Sequence, residues 1–275
     1  MATAPKPTTA KKESTGSNIF ASLTIVICII IGVLIWKFVM GHPSNFDGGD
    51  PENGHPLPGN FQGMIYKGGV IVPVLFGMLL MVIVFSIERF IVITKAAGSG
   101  SVEVFVRKIQ TLLSAGNIES AMAECDKQKG SVANVIKSGL KKYREVEADQ
   151  GLDTEQASLA IQKDIEEATA LEMPMLEQNL TVIATLVSVG TLVGLLGTVT
   201  GMIKSFAALA TAGAPDQAAL ANGISEALIN TATGIAVSTI AIIMYNVFTS
   251  KIDKLTYSID EAGFSIVQTY ASTHK

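Results

Sequence analysis

Charge is scarce in this sequence. Only 16% of its 275 residues are Asp, Glu, Lys or Arg, whereas an ordinary soluble domain carries roughly 25%. What charge there is nearly cancels, leaving a formal net of −4 with no long run of one sign. The basic patch or stripe of a nucleic-acid-binding protein is therefore missing, and no nucleic-acid partner is expected. Cysteine is almost absent: Cys28 lies in an apolar run and Cys125 in a charged helical region, with neither CxxC spacing nor a disulfide framework. His42, His55 and His274 are scattered through Gly/Pro-rich or terminal sequence and show no metal-binding spacing such as HExxH. With no metal cluster, phosphate loop or activated nucleophile in the sequence, neither an enzyme nor a cofactor is expected.

What the sequence has is apolar length. A helix needs about 20 apolar residues to cross the hydrocarbon of a bilayer, and four runs qualify: 19–40, 68–94, 180–209 and 219–248. The first exceeds the apolar region of a signal peptide and has no clear small-x-small cleavage site, so it reads as a retained span. Positive residues stay on the cytoplasmic side. Lys6, Lys11 and Lys12 precede the first run, ten Lys/Arg fall from Lys95 to Lys163, and Lys251, Lys254 and Lys275 close the chain. Residues 41–66 and 211–222 have none. The expected order is a cytoplasmic tail (1–18), an extra transmembrane helix (19–40), an extracytoplasmic linker (41–66) and a second span (67–94). A cytoplasmic helical region (95–178), a third span (179–210), a short periplasmic link (211–218), a fourth span (219–249) and a cytoplasmic tail (250–275) follow. The fold class is all-α, a polytopic membrane protein whose long helices extend into the cytoplasmic region.

Glycine and proline over 41–66 disfavour regular structure there. In the cytoplasmic region, Ser101 precedes Val102, Phe105, Val106, Ile109, Leu112 and Leu113 at helical spacing, with a break at residues 114–117. Another helix starts near Asn117, and a third follows Asp153 with Ala157, Ile161, Ile165 and Ala168 on one face. That third pattern leads into the third span across Pro174, which predicts a kink in a continuing helix.

Polar residues inside the spans carry the functional argument. Gly190, Gly194, Gly197 and Gly201 fall on one side of a helix, and small residues at this spacing let backbones approach closely in lipid. Tight helix contacts and an oligomer are expected from them. Thr191, Thr198 and Ser205 form a hydroxyl stripe on the same run, and Thr231, Ser238 and Tyr245 repeat it on the fourth. Each hydroxyl has a neutral reading, a bond to the carbonyl one turn back; together, two facing stripes would line a narrow polar path. Glu226 stands about 140° around the helix from Thr231 and shares a face with Asn222, Asn230 and Thr233. It is either a helix-start acid favoured by the dipole or the mark of an ion pathway. Glu88 and Arg89 are expected to pair with neighbours or headgroups, and Lys204 to extend its stem to the interface.

The stretches "GLLGTVTGMIKSF" (194–206) and "GISEALINTATGIAVSTIAIIMYNVF" (223–248) closely resemble the signature of the MotA/TolQ/ExbB proton-channel family, most nearly ExbB and TolQ. The resemblance is strong over 180–255 and weaker over 64–179. Residues 1–63 depart from it, because the usual ExbB has three membrane helices and lacks the extra first one. The resemblance implies a homopentameric inner-membrane subunit surrounding the helices of an ExbD-like, single-span partner whose membrane Asp carries the proton. Such a complex would use the proton motive force to energise TonB-dependent transport through a TonB-like protein; a TolQ-like role in envelope integrity is the alternative within the family. By matching motifs, Thr198 and Thr231 correspond to channel-lining threonines and Glu226 to a glutamate at the channel mouth. A non-conducting membrane scaffold is the alternative from outside that class.

Overall fold

The computed structural model describes residues 15–52, 54–148, 152–211 and 217–274. Most of the expected N-terminal tail, with Lys6, Lys11 and Lys12, and most of the short link at 211–218 lie outside them. The described residues are almost wholly helical. In chain order the helices are α1 (Thr15–Leu34), α2 (Phe61–Tyr66), α3 (Val72–Ala97), α4 (Val102–Ser114), α5 (Ile118–Gln128), α6 (Gly130–Ala148), α7 (Thr154–Glu177), α8 (Leu180–Thr211) and α9 (Gln217–Thr273). Four segments among them are long and apolar enough to cross a membrane. The chain is an all-α membrane protein.

Contacts divide it into two compact units. One takes in residues up to Ile83 and Thr185–Ala241; the other takes in Val84–Ala184 and Ile242–Lys275. In the first unit, α1 continues into a π-helical last turn, Ile35–Met40, and packs on α3 through glycine. A Cβ on Gly32 would stand 2.6 Å from the Pro73 carbonyl and 2.7 Å from the Gly77 nitrogen. The linker expected to lack regular structure is instead a packed cap of short turns closed by α2. Asn45 is buried and its Nδ2 donates to the carbonyls of Val39 and Met40 at 3.0 and 2.9 Å. Trp36 stacks on Tyr66 at 4.6 Å, and Phe46 meets Tyr66 edge-on. Glycine and proline set the turns, while four aromatic and amide side chains supply the packing that composition does not reveal.

The second unit is a helical bundle whose interior is aliphatic for the most part, with Phe85, Phe105, Tyr143, Phe248 and Tyr270 buried among the aliphatic side chains. Ser101, Asn117 and Asp153 each accept a backbone N–H from the following turn, the capping that starts α4, α5 and α7. An additional break separates α5 from α6. Lys129 and Gly130 both have positive φ, and a Cβ on Gly130 would lie 2.5 Å from the Ala96 carbonyl. Gln128 completes the junction by donating to the Ala97 carbonyl. The stretch expected as a tail after residue 249 continues as α9, because Ile252, Leu255, Ile259, Ala262 and Ile266 keep a three-four spacing and are all buried. Burial pushes the Cys125 thiol up to about 12, with Asp126 adding to the shift.

Pro174 does not end its helix at once, nor does α7 run on into α8. Helix α7 stops at Glu177, Gln178 donates back to the Pro174 carbonyl, and Asn179 takes a left-handed conformation, which asparagine tolerates better than most residues. Arg89 occupies the end so created. Its guanidinium is buried, donates to the carbonyls of Met175 and Leu176 at 3.0 and 3.1 Å, and pairs with Glu88. The expectation of pairing with neighbours holds, and the neighbour is the end of a helix.

Two outcomes follow. Arg89→Ala strips those carbonyls and Glu88 of their partner, which costs about 3–5 kcal/mol and lowers the thermal midpoint in detergent by about 10 °C. Cys125 stays a neutral thiol until pH approaches 12, so mass spectrometry will find it unalkylated by maleimide at neutral pH in the folded protein and alkylated once the protein is unfolded.

Candidate functional site

The glycines of α8 find their partner within the same chain. Gly190, Gly194, Gly197 and Gly201 face Ser238, Gly234, Asn230, Ala227 and Gly223 of α9. A Cβ on Gly194 would be 3.0 Å from the Asn230 carbonyl and from Gly234 Cα, and one on Gly201 would be 2.9 Å from the Gly223 carbonyl. From the other side, a Cβ on Gly234 would be 2.7 Å from the Gly190 carbonyl. Backbone touches backbone along more than two turns, the geometry that small residues permit in a membrane. Even the methyl of an alanine at Gly190, Gly194, Gly197, Gly201 or Gly234 would meet atoms of the facing helix at 2.4–3.0 Å and spread the pair.

The hydroxyls meet because the backbones do. Thr198 Oγ1 and Thr231 Oγ1 are hydrogen bonded to each other, and Thr198 also reaches its own-helix carbonyl, Gly194 O, at 3.3 Å. Thr191 donates to Ser238 at 2.8 Å. The two stripes therefore face one another across the contact. They also depart from the simple pattern. Ser205 is buried and bonds to the carbonyls of Gly201 and Leu220, which makes it part of the helix packing, and Tyr245 belongs to the other compact unit. Neutral hydroxyls donate one hydrogen bond and accept two: they relay polarity or a proton but do not store charge.

Glu226 lies away from this pair, as its helical angle requires. Its carboxylate sits against Gly69, where φ is +78° and a Cβ would come within 3.0 Å of the carboxyl carbon. Lys204 Nζ bonds to Glu226 Oε1 at 2.7 Å; the lysine side chain is 58% exposed and the glutamate 15%. To the expectation that Lys204 extends to the interface the structure adds this partner, which lies within reach because α8 and α9 run so close. With one partner exposed, the pair contributes little stability. Of the other members of its face, Asn222 is exposed and Thr233 half-buried, whereas Asn230 is fully buried.

Asn230 is the residue that sequence reasoning undervalued. It fills the space over Gly197, its Nδ2 donates to the Gly68 carbonyl at 2.9 Å, and its Oδ1 is buried without a protein partner. Its signal was the spacing from Gly223 and Gly234, small residues flanking one amide at intervals matching the glycines of α8. The Gly68-Gly69 doublet that receives both Asn230 and Glu226 read as no more than the start of a span. Among the described residues no group of His, Cys, Asp and Glu is placed to hold a metal ion.

Residues 127–261 match the MotA/TolQ/ExbB proton channel family. The Tol-Pal system protein TolQ of Pseudomonas aeruginosa is 34% identical over 124 residues, 45% of this chain and 54% of that protein. Biopolymer transport protein ExbB of Pseudomonas putida is 36% identical over 86 residues, covering 31% and 26% of the two chains. ExbB of Salmonella typhimurium is 32% identical over 85 residues, covering 31% and 35%. The chain thus spans about half the length, or less, of these curated relatives. The segment similar to the MotA/TolQ/ExbB proton channel family takes in α7, α8 with its glycine contact, and the α9 residues Thr231, Glu226 and Asn230.

Proposed function

We propose that this protein is the channel-forming subunit of an ExbB-ExbD type complex in a bacterial inner membrane, using the proton motive force to energise TonB-dependent transport across the outer membrane. The observation that carries the reading is the hydrogen-bonded pair Thr198–Thr231, held by the glycine contact inside the family-matched segment. In this reading the two threonines line the proton pathway, and the exposed apolar side chains of α8, among them Leu192, Leu196, Val199 and Ile203, face lipid and the neighbouring copies of a homopentamer. The distribution of Lys and Arg supports an orientation with both termini in the cytoplasm.

The chain's apolar runs hold no free acid suited to carry the proton. Within its apolar runs the only acidic residues are Glu88 and Glu226, and each is ion-paired, with Arg89 and Lys204 respectively. A carrier therefore comes from a partner, and a single-span ExbD-like protein with a membrane Asp supplies the missing chemistry, with a TonB-like protein taking up the motion. Glu226 then acts at the mouth of the pathway through its pairing with Lys204. A proton falling through 100 mV releases about 2.3 kcal/mol, so the complex has to repeat small steps. A Tol-type role is the second reading, favoured by the 34% identity to TolQ over 124 residues.

In cells, Thr198→Ala and Thr231→Ala are expected to lower proton-motive-force-dependent uptake by about ten-fold, equivalent to about 1.4 kcal/mol, with complex assembly unchanged on native gels. Thr198→Ser, which keeps the hydroxyl, restores most of the uptake. Full uptake in both alanine variants would leave the scaffold as the better description. Affinity purification separates the two cellular roles: the TonB reading requires an ExbD-like and a TonB-like chain to come down with this one, and recovery of Tol-system partners alone would assign it to envelope integrity.

A further inference from the structure

The cap between the first two spans has one face that its own packing leaves uncovered. Helix α2 rests on the last turn of the first span, residues 35–40, and is fixed there on several sides. Trp36 stacks on Tyr66 and donates from Nε1 to the Tyr66 carbonyl at 3.3 Å. Asn60, the N-cap of α2, donates from Nδ2 to Asn45 Oδ1 at 3.0 Å, and Asn45 in turn holds the end of the span. With these ties in place, Phe61 is still 73% exposed, Met64 is exposed beside it one turn on, and Val70, just past the helix, is 72% exposed. The sequence of α2, "FQGMIY", carries no charge. The acids of the cap, Asp47, Asp50 and Glu52, all precede it, and Lys67 is drawn back over the Phe46 ring and onto the Glu52 carbonyl.

We infer that α2 is an interfacial anchor, lying in the headgroup region of the bilayer with Phe61, Met64 and Val70 inserted among the upper acyl chains. Position decides for lipid over water. The turn to which α2 is fixed ends an apolar run long enough to span the hydrocarbon, and it exposes Phe38 and Val39, so α2 is held at the level where that run leaves the hydrocarbon. A Trp–Tyr stack at that level matches the aromatic belt of membrane proteins, and helices that lie in the interface bury their apolar face about 5–10 Å into the boundary. The extra first span and the cap therefore form one lipid-seated element, rather than a span followed by a strand of linker in water.

Depth-dependent quenching tests this on the full-length protein. In a background with Cys28→Ala and Cys125→Ala, Phe61→Cys and Glu52→Cys are labelled with an environment-sensitive fluorophore. The protein is then reconstituted in vesicles of phosphatidylethanolamine and phosphatidylglycerol. At Phe61→Cys the expected result is quenching by nitroxide lipids labelled near the headgroup that exceeds quenching by aqueous iodide by about two-fold or more, with the reverse order at Glu52→Cys. Val70→Cys provides a second reporter with the same expectation as Phe61→Cys. Iodide quenching of Phe61→Cys at the level of Glu52→Cys would overturn the proposal in favour of a solvated cap, and protection from both quenchers would overturn it in favour of a protein partner on that face.

Discussion

Helices α8 and α9 lie so close that their glycine backbones are in van der Waals contact, and the polar contacts between the two helices depend on that distance. In lipid there is no hydrophobic drive to bring two apolar helices together, so small residues and interhelical hydrogen bonds have to do it. Gly190, Gly194 and Gly201 opposite Gly234 and Gly223 provide the first, and Thr198–Thr231 and Thr191–Ser238 the second. The two are not independent. A single methyl at Gly194 or Gly234 would push the backbones apart, and a threonine pair at hydrogen-bonding distance does not survive a shift of an ångström or two. The same approach brings Lys204 of α8 to Glu226 of α9, so the charged pair and the hydroxyl pair are set by one contact.

That arrangement has a chemical consequence for charge. Hydroxyls in contact are good relays and poor reservoirs, because an alcohol neither gives up its own proton nor keeps a second one near neutral pH. Carboxylates are the natural reservoirs, and both of those inside the apolar runs are committed to basic partners. A subunit of this kind shapes and polarises a pathway whose titrating group has to be supplied from outside it. Asn230 fits the same logic, since an amide is polar at every pH. Its buried Oδ1, lacking a protein partner, leaves an acceptor at the centre of the contact without bringing a charge into it.

The helical class and the four apolar runs were legible because about 20 consecutive apolar residues have few other uses, and the caps Ser101, Asn117 and Asp153 were legible because capping is local. The facing of Thr198 and Thr231 followed from periodicity once the two runs were taken as neighbours. What the sequence hid were relations between distant residues. Nothing local to Lys204 announces Glu226, and the Gly68-Gly69 turn gives no sign that it receives Asn230 and Glu226 from a helix some 160 residues away, a separation set by the fold. The packing of the cap over 41–66 was hidden for a related reason. Its glycines and prolines speak about local backbone freedom, whereas its order comes from Trp36 stacking on Tyr66 and from Asn45 reaching back to the preceding helix. Pro174 likewise advertised a kink, while the break itself came at Asn179, beside carbonyls that Arg89 was already placed to receive.

Arg89, Asn45 and Asn230 solve one problem in three places. A helix leaves its last carbonyls unpaired, and away from water each unmet group costs several kcal/mol. Arg89 serves the end of α7 through Met175 and Leu176, Asn45 the end of the first span through Val39 and Met40, and Asn230 the turn before α3 through Gly68. In each case the donor comes from a different element than the carbonyl it satisfies, so the bond that completes one helix end also fixes where a second element lies. The carbonyls met by Arg89, Asn45 and Asn230 stand where a helix stops or the chain turns, which is where apolar packing alone leaves a backbone group unpaired and a chain direction undefined.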